Sequence, residues 1–304
     1  MKRATIDVGS NSLLLLVSEL QQGHWVPLQE RTQVTGLGRG TLTTGLLSES
    51  AMAQSLATLR EFFHSAREAG AEQCVAAGTM AVRMAQNQPE FLDRARQQGT
   101  PVIVLSGEDE ADLGLRAVLN DPTFAQHRRI SIIDPGGNST ELVTADRGQG
   151  VLFRRSFPVG ALGLRDTILS DESPGFGPRL RAVEAVDDLL GMAYLPQTAG
   201  HAVTLGATGT NLISIRERMT SWQPERVHGA YLDFEEVSKA VAWMFDLSDR
   251  ERAEITGIEP GRERTLHIGS LILERFLQCL HVLGCSVSVR GWRHALLEDD
   301  RYFA

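Results

Sequence analysis

Two glycine-rich turns with the same order of polar residues are the first candidates for chemistry in this sequence. The segments IDVGSNSLLLLV (6–17) and IIDPGGNSTELV (132–143) each run from an apolar strand into an aspartate and then a turn. The matching pairs are Asp7 and Asp134, Gly9 and Gly136, Asn11 and Asn138, and Ser12 and Ser139. Converging N–H groups of such turns bind anions. An ordinary hairpin is the alternative, because Asn and Gly are common turn residues, but the repetition in register favours anion binding.

Carboxylates near these turns could hold a cation or activate water. Asp134 ends a strand, and Glu141 lies two residues after Ser139 and therefore faces the same side of its strand. Both are candidate metal ligands, although a solvated sheet face is the alternative for Glu141. The segment SGEDEAD (106–112) places further acids at one predicted helix start, namely Glu108, Asp109, Glu110 and Asp112. One of them could serve as a general base for water; compensation of the helix dipole is the alternative.

Two further segments offer donors to an anion. The segment ATGTN (207–211) is predicted to be a loop between a strand and a helix, so that its N–H groups lie at a helix N-terminus. A hydroxyl of Thr208 or Thr210 could equally be an N-cap. Arg83, in GTMAVRMAQN (78–87), follows a predicted buried strand. It could bind phosphate through two N–H groups or lie on a helix surface.

Composition and charge narrow the class of protein. The 304 residues are 42% hydrophobic and 22% charged, typical of a globular protein. A formal net charge of −8 argues against general affinity for nucleic acids or membranes. The three cysteines lack the C-x-x-C spacing of zinc and redox sites, and no run of about 20 apolar residues occurs. We therefore expect a cytoplasmic protein with reduced thiols; a homodimer is left open.

The pattern of elements restarts near residue 122. Each half opens with three predicted strands, antiparallel by their hairpin spacing, and continues with alternating helices and strands. The sequence thus predicts an α/β protein of two similar lobes, 1–122 and 123–304. Their strand-end loops would face each other across a central cleft.

Six segments in order resemble the exopolyphosphatase and guanosine pentaphosphate phosphohydrolase family, within the actin-like ATPase superfamily. They are IDVGSNSLLLLV, GTMAVRMAQN, VIVLSGEDEADL, IIDPGGNSTELV, SFPVGALGL and LGATGTN. The resemblance implies two ribonuclease-H-like lobes and magnesium-dependent hydrolysis of a terminal phosphoanhydride, in polyphosphate or guanosine pentaphosphate.

The resemblance also implies roles for individual residues. Glu110 would be the catalytic glutamate, and Asp134 and Glu141 would be associated with Mg²⁺ or another divalent cation. The residues implied in phosphate binding are Gly9, Ser10, Asn11, Ser12, Arg83, Gly136, Gly137, Asn138, Ser139, Thr208, Gly209 and Thr210.

Two positions depart from the family pattern. Gly36 stands where the T-R-L-G segment has arginine, with Arg39 close by, and Asn138 replaces the third glycine of the second turn. A non-catalytic nucleotide or polyphosphate sensor and an ATP-dependent small-molecule kinase are alternative functions. The kinase is disfavoured because no GGG-type adenosine loop follows ATGTN.

Overall fold

The computed structural model describes residues 1–171, 173, 175–193, 195 and 198–303. The chain forms two compact units. The N-terminal unit comprises Met1–Arg116 and the segment from Trp292 onward, and the C-terminal unit comprises Ala117–Gly291.

Strands and helices are numbered in chain order. The strands are β1 (Lys2–Val8), β2 (Ser12–Gln21), β3 (His24–Val34), β4 (Gln73–Gly78), β5 (Val102–Val104), β6 (Arg129–Pro135), β7 (Thr140–Asp146), β8 (Gly150–Phe157), β9 (His201–Thr204), β10 (Tyr231–Asp233) and β11 (Gly284–Val287). The helices are α1 (Thr41–Thr44), α2 (Glu49–Glu68), α3 (Met80–Met84), α4 (Gln88–Gln97), α5 (Gly107–Leu119), α6 (Ala161–Thr167), α7 (Phe176–Gly191), α8 (Gly206–Arg216), α9 (Pro224–Val227), α10 (Phe234–Phe245), α11 (Asp249–Ala253), α12 (Leu266–Cys279) and α13 (Trp292–Leu297). Short 3₁₀ helices cover Pro122–Phe124 and Asp300–Tyr302.

The sheet of the N-terminal unit has the strand order β3-β2-β1-β4-β5. The first three strands are antiparallel neighbours, whereas β4 and β5 run parallel to β1. The carboxyl ends of parallel strands meet at one sheet edge, so the turn after β1 and the starts of α3 and α5 share that edge. This arrangement places the candidate residues of the unit together.

Helix α2 covers this sheet with one apolar face. Leu56, Leu59 and Phe62 recur at helical spacing and are buried in the core of the unit. The Ser48 side chain caps the first turn by accepting a hydrogen bond from the N–H of Ala51. This apolar spacing, followed by Gly70, predicts a helix over residues 48–69, and α2 confirms it to within a residue at each end.

The sheet of the C-terminal unit repeats the order and adds one strand. Its order is β10-β11-β9-β6-β7-β8, with β6, β7 and β8 antiparallel neighbours and β9 and β11 parallel to β6. The predicted duplication of an α/β unit is therefore confirmed, and β10 is the addition.

A division of the chain at residue 122 assigns the segment from Trp292 onward to the second lobe. The structure places this segment in the N-terminal unit. It packs on β1 and β2 of the N-terminal unit, not within the second half of the chain. Arg3 donates to the carbonyl oxygen of Leu297 at 3.0 Å, and the Thr5 hydroxyl donates to that of Arg293 at 3.1 Å. Arg293 also forms a 2.6 Å ion pair with Glu30. These contacts join residues 263 to 294 positions apart, which local sequence patterns cannot reveal.

The structure corrects one prediction of local structure and adds one helix that was not predicted. Residues 207–211 are not a loop, because α8 begins at Gly206 and includes them. The segment after β8 contains a helix, α6, that the sequence pattern did not indicate. A seven-residue helix that starts with Ala-Leu-Gly-Leu is too short to show an apolar period.

The sequence predicts reduced thiols and no membrane-spanning segment, and the structure bears on both expectations. All three cysteines are free, and burial raises the pKa of Cys285 to about 12. In the part of the chain that the structure describes, no helix combines the length and apolar character needed to span a membrane.

Two stacked imidazoles link the stability of the C-terminal unit to pH. The parallel rings of His127 and His201 have centroids 3.6 Å apart, and His201 Nε2 lies 2.9 Å from Ser286 Oγ. Burial, and then the nearby His127, lowers the pKa of His201 from 6.5 to about 4. A depressed folded-state pKa means that the stabilisation is complete above pH 6.5 and is lost as the pH falls through 4.

We expect the free energy of unfolding to fall less between pH 6.5 and pH 4 in His201→Gln than in the wild type. Urea titrations at several pH values in this range measure the slope of the unfolding free energy against pH. His24→Gln, at an exposed position on β3, is the matched control and should keep the wild-type slope. Equal slopes in all three proteins would exclude the histidine pair as a source of acid sensitivity.

Candidate active site

The first glycine turn is closed by a short backbone contact. The N–H of Gly9 donates to the carbonyl oxygen of Ser12 at 3.1 Å. A Cβ atom on Gly9 would lie 2.9 Å from that same oxygen. Since the obstacle is backbone, residue 9 has to be glycine for the turn to keep this shape.

The segment after β3 fixes the direction of the peptide groups in this turn. The N–H groups of Thr35 and Gly36 donate to the Asn11 carbonyl at 3.1 and 2.9 Å, and that of Gly38 donates to the Ser10 carbonyl at 2.7 Å. In a trans peptide the C=O and the following N–H point in opposite directions. The N–H groups of Asn11 and Ser12 therefore point away from the 35–38 segment.

The second turn repeats the closing contact of the first. The N–H of Gly136 donates to the Ser139 carbonyl at 2.8 Å, and a Cβ on Gly136 would lie 2.8 Å from that oxygen. The sequence repeat is thus also a repeat of local structure. The side chains of Asn138 and Ser139 are buried, so the turn presents mainly its backbone.

Helix α6 orients the peptide groups of the second turn. Its residues Leu162 and Gly163 donate N–H bonds to the Gly137 carbonyl at 2.7 and 3.1 Å, and Ala161 donates to the Gly136 carbonyl at 3.0 Å. The N–H groups of Gly137 and Asn138 consequently point away from α6.

Gly160 permits this contact between α6 and the turn. A Cβ on Gly160 would lie 2.4 Å from the carbonyl carbon and oxygen of Gly137 and 2.5 Å from the nitrogen of Asn138. The motif SFPVGALGL contains Gly160, but no local pattern indicates its role, because its contacts are with residues more than 20 positions earlier.

Two carboxylates lie side by side next to the second turn. Asp134 and Glu141 are directly opposed in the antiparallel pair of β6 and β7, so both side chains project from the same face. Glu141 is buried and accepts a 2.7 Å hydrogen bond from Ser156 Oγ. In the N-terminal unit the equivalent partner of Asp7 is Leu14. The carboxylate pair therefore belongs to the C-terminal unit alone.

The start of α8 approaches the same aspartate. Gly206 has a φ of +74°, and a Cβ there would lie 2.9 Å from Asp134 Oδ1. Glycine at this position allows the first turn of α8 to begin against the carboxylate.

The predicted roles of the residues in ATGTN change because the segment is helical. Thr208 is buried, with its hydroxyl against Gly269 of α12, and Gly209 faces Thr204 and Val287. The Thr210 hydroxyl donates to the Ala207 carbonyl. None of these hydroxyls is the N-cap, which is Leu205. The segment can therefore bind an anion through the backbone N–H groups in the first turn of α8.

The donor set fits a divalent cation that keeps part of its water shell. Among the described residues, no group of three or more His, Cys, Asp or Glu side chains converges as a complete metal site. Mg²⁺ usually binds through one or two carboxylates, with water and substrate phosphates completing the shell. Asp134 and Glu141 match that pattern and would hold the cation, whose positive charge would offset the repulsion between the two carboxylates.

Glu110 and Arg83 are neighbours in the N-terminal unit. Glu110 lies in the first turn of α5 and is 9% exposed. Arg83 Nη1 donates to the carbonyl of Leu105 at 2.7 Å and lies 3.5 Å from Glu110 Oε2. The arginine is therefore held by backbone and orients the carboxylate beside it.

The structure separates the acids of the SGEDEAD segment. Asp109 accepts a 2.6 Å hydrogen bond from Ser106 Oγ, and its N–H donates back to that hydroxyl at 3.0 Å, so this pair closes the start of α5. Glu108 is exposed and Asp112 is half-buried. Glu110 is thus the only one of the four that is both buried and beside an arginine.

A protein family and several characterised proteins match most of this chain. The model of the Ppx/GppA phosphatase family matches residues 16–301. Exopolyphosphatase 1 of Mycobacterium tuberculosis is 26% identical over an alignment of 310 residues, which covers 98% of this chain and 87% of that protein. Exopolyphosphatase 2 of the same organism is 24% identical over 284 residues, covering 89% of this chain and 88% of that protein.

Solved structures share the fold over nearly the whole chain. The Aquifex aeolicus member of the Ppx/GppA family superposes with a TM-score of 0.80 at 28% identity, covering 98% of this chain and 96% of that one. An exopolyphosphatase from Cytophaga hutchinsonii has a TM-score of 0.87 at 23% identity, covering 98% and 97%. The expected enzyme class, a phosphoanhydride hydrolase, is confirmed at the level of the family. The chain belongs to the Ppx/GppA phosphatase family.

Proposed function

We propose that this protein releases terminal orthophosphate from inorganic polyphosphate by attack of water. One observation carries the proposal. In both glycine turns, backbone contacts on one side direct consecutive N–H groups to the other side, and a buried glutamate lies beside a fixed arginine. Positioned N–H donors and a placed base are what phosphoryl transfer to water requires.

Glu110 is the general base in this proposal. Its carboxylate accepts a proton from water while the water oxygen bonds to the terminal phosphorus and the bridging P–O bond breaks. The shortened polyphosphate leaves with the bridging oxygen. Arg83 keeps the carboxylate in place through Nη1. Its Nη2, which also donates a long bond to Met80 Sδ at 3.6 Å, offers its remaining N–H to a phosphate oxygen, as the family resemblance implies.

The backbone turns serve as anion binders. The N–H groups of Asn11 and Ser12 in one turn, and of Gly137 and Asn138 in the other, stabilise the charge on phosphate oxygens. Asp134 and Glu141 would hold a divalent cation. When bound, that ion neutralises phosphate charge and polarises a phosphoryl oxygen.

Guanosine pentaphosphate is the second substrate that we propose, because it also ends in a phosphoanhydride. A cytoplasmic location remains a prediction, based on the free thiols expected of a reducing compartment.

A substrate panel tests the proposed function. Purified protein with Mg²⁺ is offered polyphosphates of several lengths, guanosine pentaphosphate and ATP separately, and orthophosphate is measured. We expect release from polyphosphate without any added acceptor. Binding without release would indicate a sensor. Phosphate transfer to an added acceptor, with consumption of ATP and no release of orthophosphate, would indicate a kinase.

Gly160→Ala should impair hydrolysis through the second turn. The new methyl group would overlap the backbone of Gly137, so the turn has to shift. Misplacement by about 1 Å can cost on the order of 100-fold in rate, and we expect a loss of that order in kcat/KM. Assays are run below the melting temperature of the variant.

Gly191→Ala is the matched control, because a Cβ on Gly191 meets nothing within 4 Å. It should hydrolyse polyphosphate like the wild type. Wild-type kcat/KM in Gly160→Ala would show that the α6 contact does not position the turn.

A further inference from the structure

The segment 35–39 contacts the first glycine turn and carries one arginine. Thr35, Gly36 and Gly38 donate their N–H groups to carbonyls of that turn, as described above. Arg39 follows at once, and its N–H donates to the Gly36 carbonyl at 2.9 Å. The backbone of Arg39 is therefore fixed a few residues from the turn.

The guanidinium of Arg39 lies over Gly36. It occupies the place where a side chain at residue 36 would begin, since a Cβ there would meet Nη2 at 3.1 Å, Cζ at 3.3 Å and Nε at 3.5 Å. Gly36 also has a φ of +62°, a conformation that favours glycine. Glycine at this position thus makes room for the arginine of residue 39.

Among the described residues, no acidic side chain forms an ion pair with the Arg39 guanidinium. Arg39 is exposed, and within the described part of the chain no hydrogen bond or ion pair engages its side-chain nitrogens. The other arginine near the site, Arg83, is already bound to the Leu105 carbonyl and lies beside Glu110. Arg39 therefore offers all five guanidinium N–H groups to a ligand.

We propose that Arg39 is a substrate-binding residue that confers preference for polyanionic chains. Its guanidinium binds a phosphate group next to the one held by the turn at residues 9–12. This inference rests on the proposed hydrolysis. A planar guanidinium binds two phosphate oxygens at once, and its contact with Gly36 limits the conformations that it loses on binding.

Steady-state kinetics with long-chain polyphosphate tests the proposal. Arg39→Gln should raise KM about 10-fold at low salt and leave kcat within about 2-fold, as expected for one lost charge-assisted bond. The difference should shrink in high salt, because exposed charges are screened. Calorimetric binding of tripolyphosphate in a Glu110→Gln background should show the same loss of affinity without turnover.

Glycine variants test the contact itself. Gly36→Ala should raise KM by displacing the guanidinium, and should add little in the Arg39→Gln background. Gly23→Ala shares the positive φ (+83°) but meets nothing within 4 Å, so it controls for backbone strain. Arg60→Gln, at an exposed arginine on α2, controls for loss of charge.

The outcomes separate the two proposals. No orthophosphate release by the wild type would overturn the proposed hydrolysis. Normal release by the wild type, with KM and tripolyphosphate affinity unchanged in Arg39→Gln, would overturn the role of Arg39 alone.

Discussion

Glu110→Gln is expected to lower kcat for orthophosphate release by about 100- to 10,000-fold, the usual contribution of a general base. Glutamine has nearly the same shape and can still contact Arg83, but it cannot accept a proton from water. The variant should therefore fold normally and bind substrate with near wild-type affinity. Steady-state kinetics measures kcat, and calorimetry with tripolyphosphate measures binding.

Glu108→Gln is the matched control for this variant. Both glutamates lie in the first turn of α5, but Glu108 is exposed. Its replacement removes the same charge from the same helix start, so kcat should stay within about 2-fold of wild type, since surface substitutions usually have small effects. Equal losses in the two variants would mean that only the charge of the helix start matters. Wild-type kcat in Glu110→Gln would remove Glu110 from the mechanism.

Asp134→Asn is expected to raise the Mg²⁺ concentration for half-maximal activity by about 10- to 100-fold. Changing a group that merely orients a metal ligand typically costs about 10- to 100-fold in metal affinity or activity, and loss of a ligand charge should cost at least as much. Asp134 lies directly opposite Glu141, and Asn keeps the shape but removes one of the two charges. Magnesium titration of the hydrolysis rate measures the shift, and calorimetry with Mn²⁺ measures binding without turnover.

Two variants bracket this result. Ser156→Ala removes only the hydroxyl that donates to Glu141, so it should shift the magnesium requirement in the same direction but by less. Asp188→Asn, at an exposed carboxylate on α7, should leave it unchanged. A wild-type magnesium curve for Asp134→Asn would contradict the assignment of this carboxylate pair to the cation.

The parts of the site that could be predicted from sequence are local. The turns at Gly9 and Gly136 combine a strand end, a glycine and an asparagine within a few residues. The sequence predicts the flanking strands at 3–8, 13–20, 130–134 and 139–145, each within one residue of the observed ends. The opposition of Asp134 and Glu141 follows from the hairpin register, in which a fixed turn length determines which residues pair.

The parts that could not be predicted depend on distant contacts. The ATGTN segment is predicted to be a loop because Gly and Thr are poor helix formers. In the structure it is the start of α8, where Gly209 packs against the sheet. The burial of Glu110 among four similar acids depends on α3, which carries Arg83. The contact of Arg39 with Gly36 could not be read from spacing alone, although the two residues are only three positions apart.

Hydrolysis of polyphosphate in water enriched with ¹⁸O tests the central claim most directly. If water attacks the terminal phosphorus, each released orthophosphate acquires one ¹⁸O atom from solvent, as mass spectrometry would show, and release needs only Mg²⁺ and protein. Orthophosphate without solvent oxygen, or polyphosphate that binds and is not cleaved, would contradict the account.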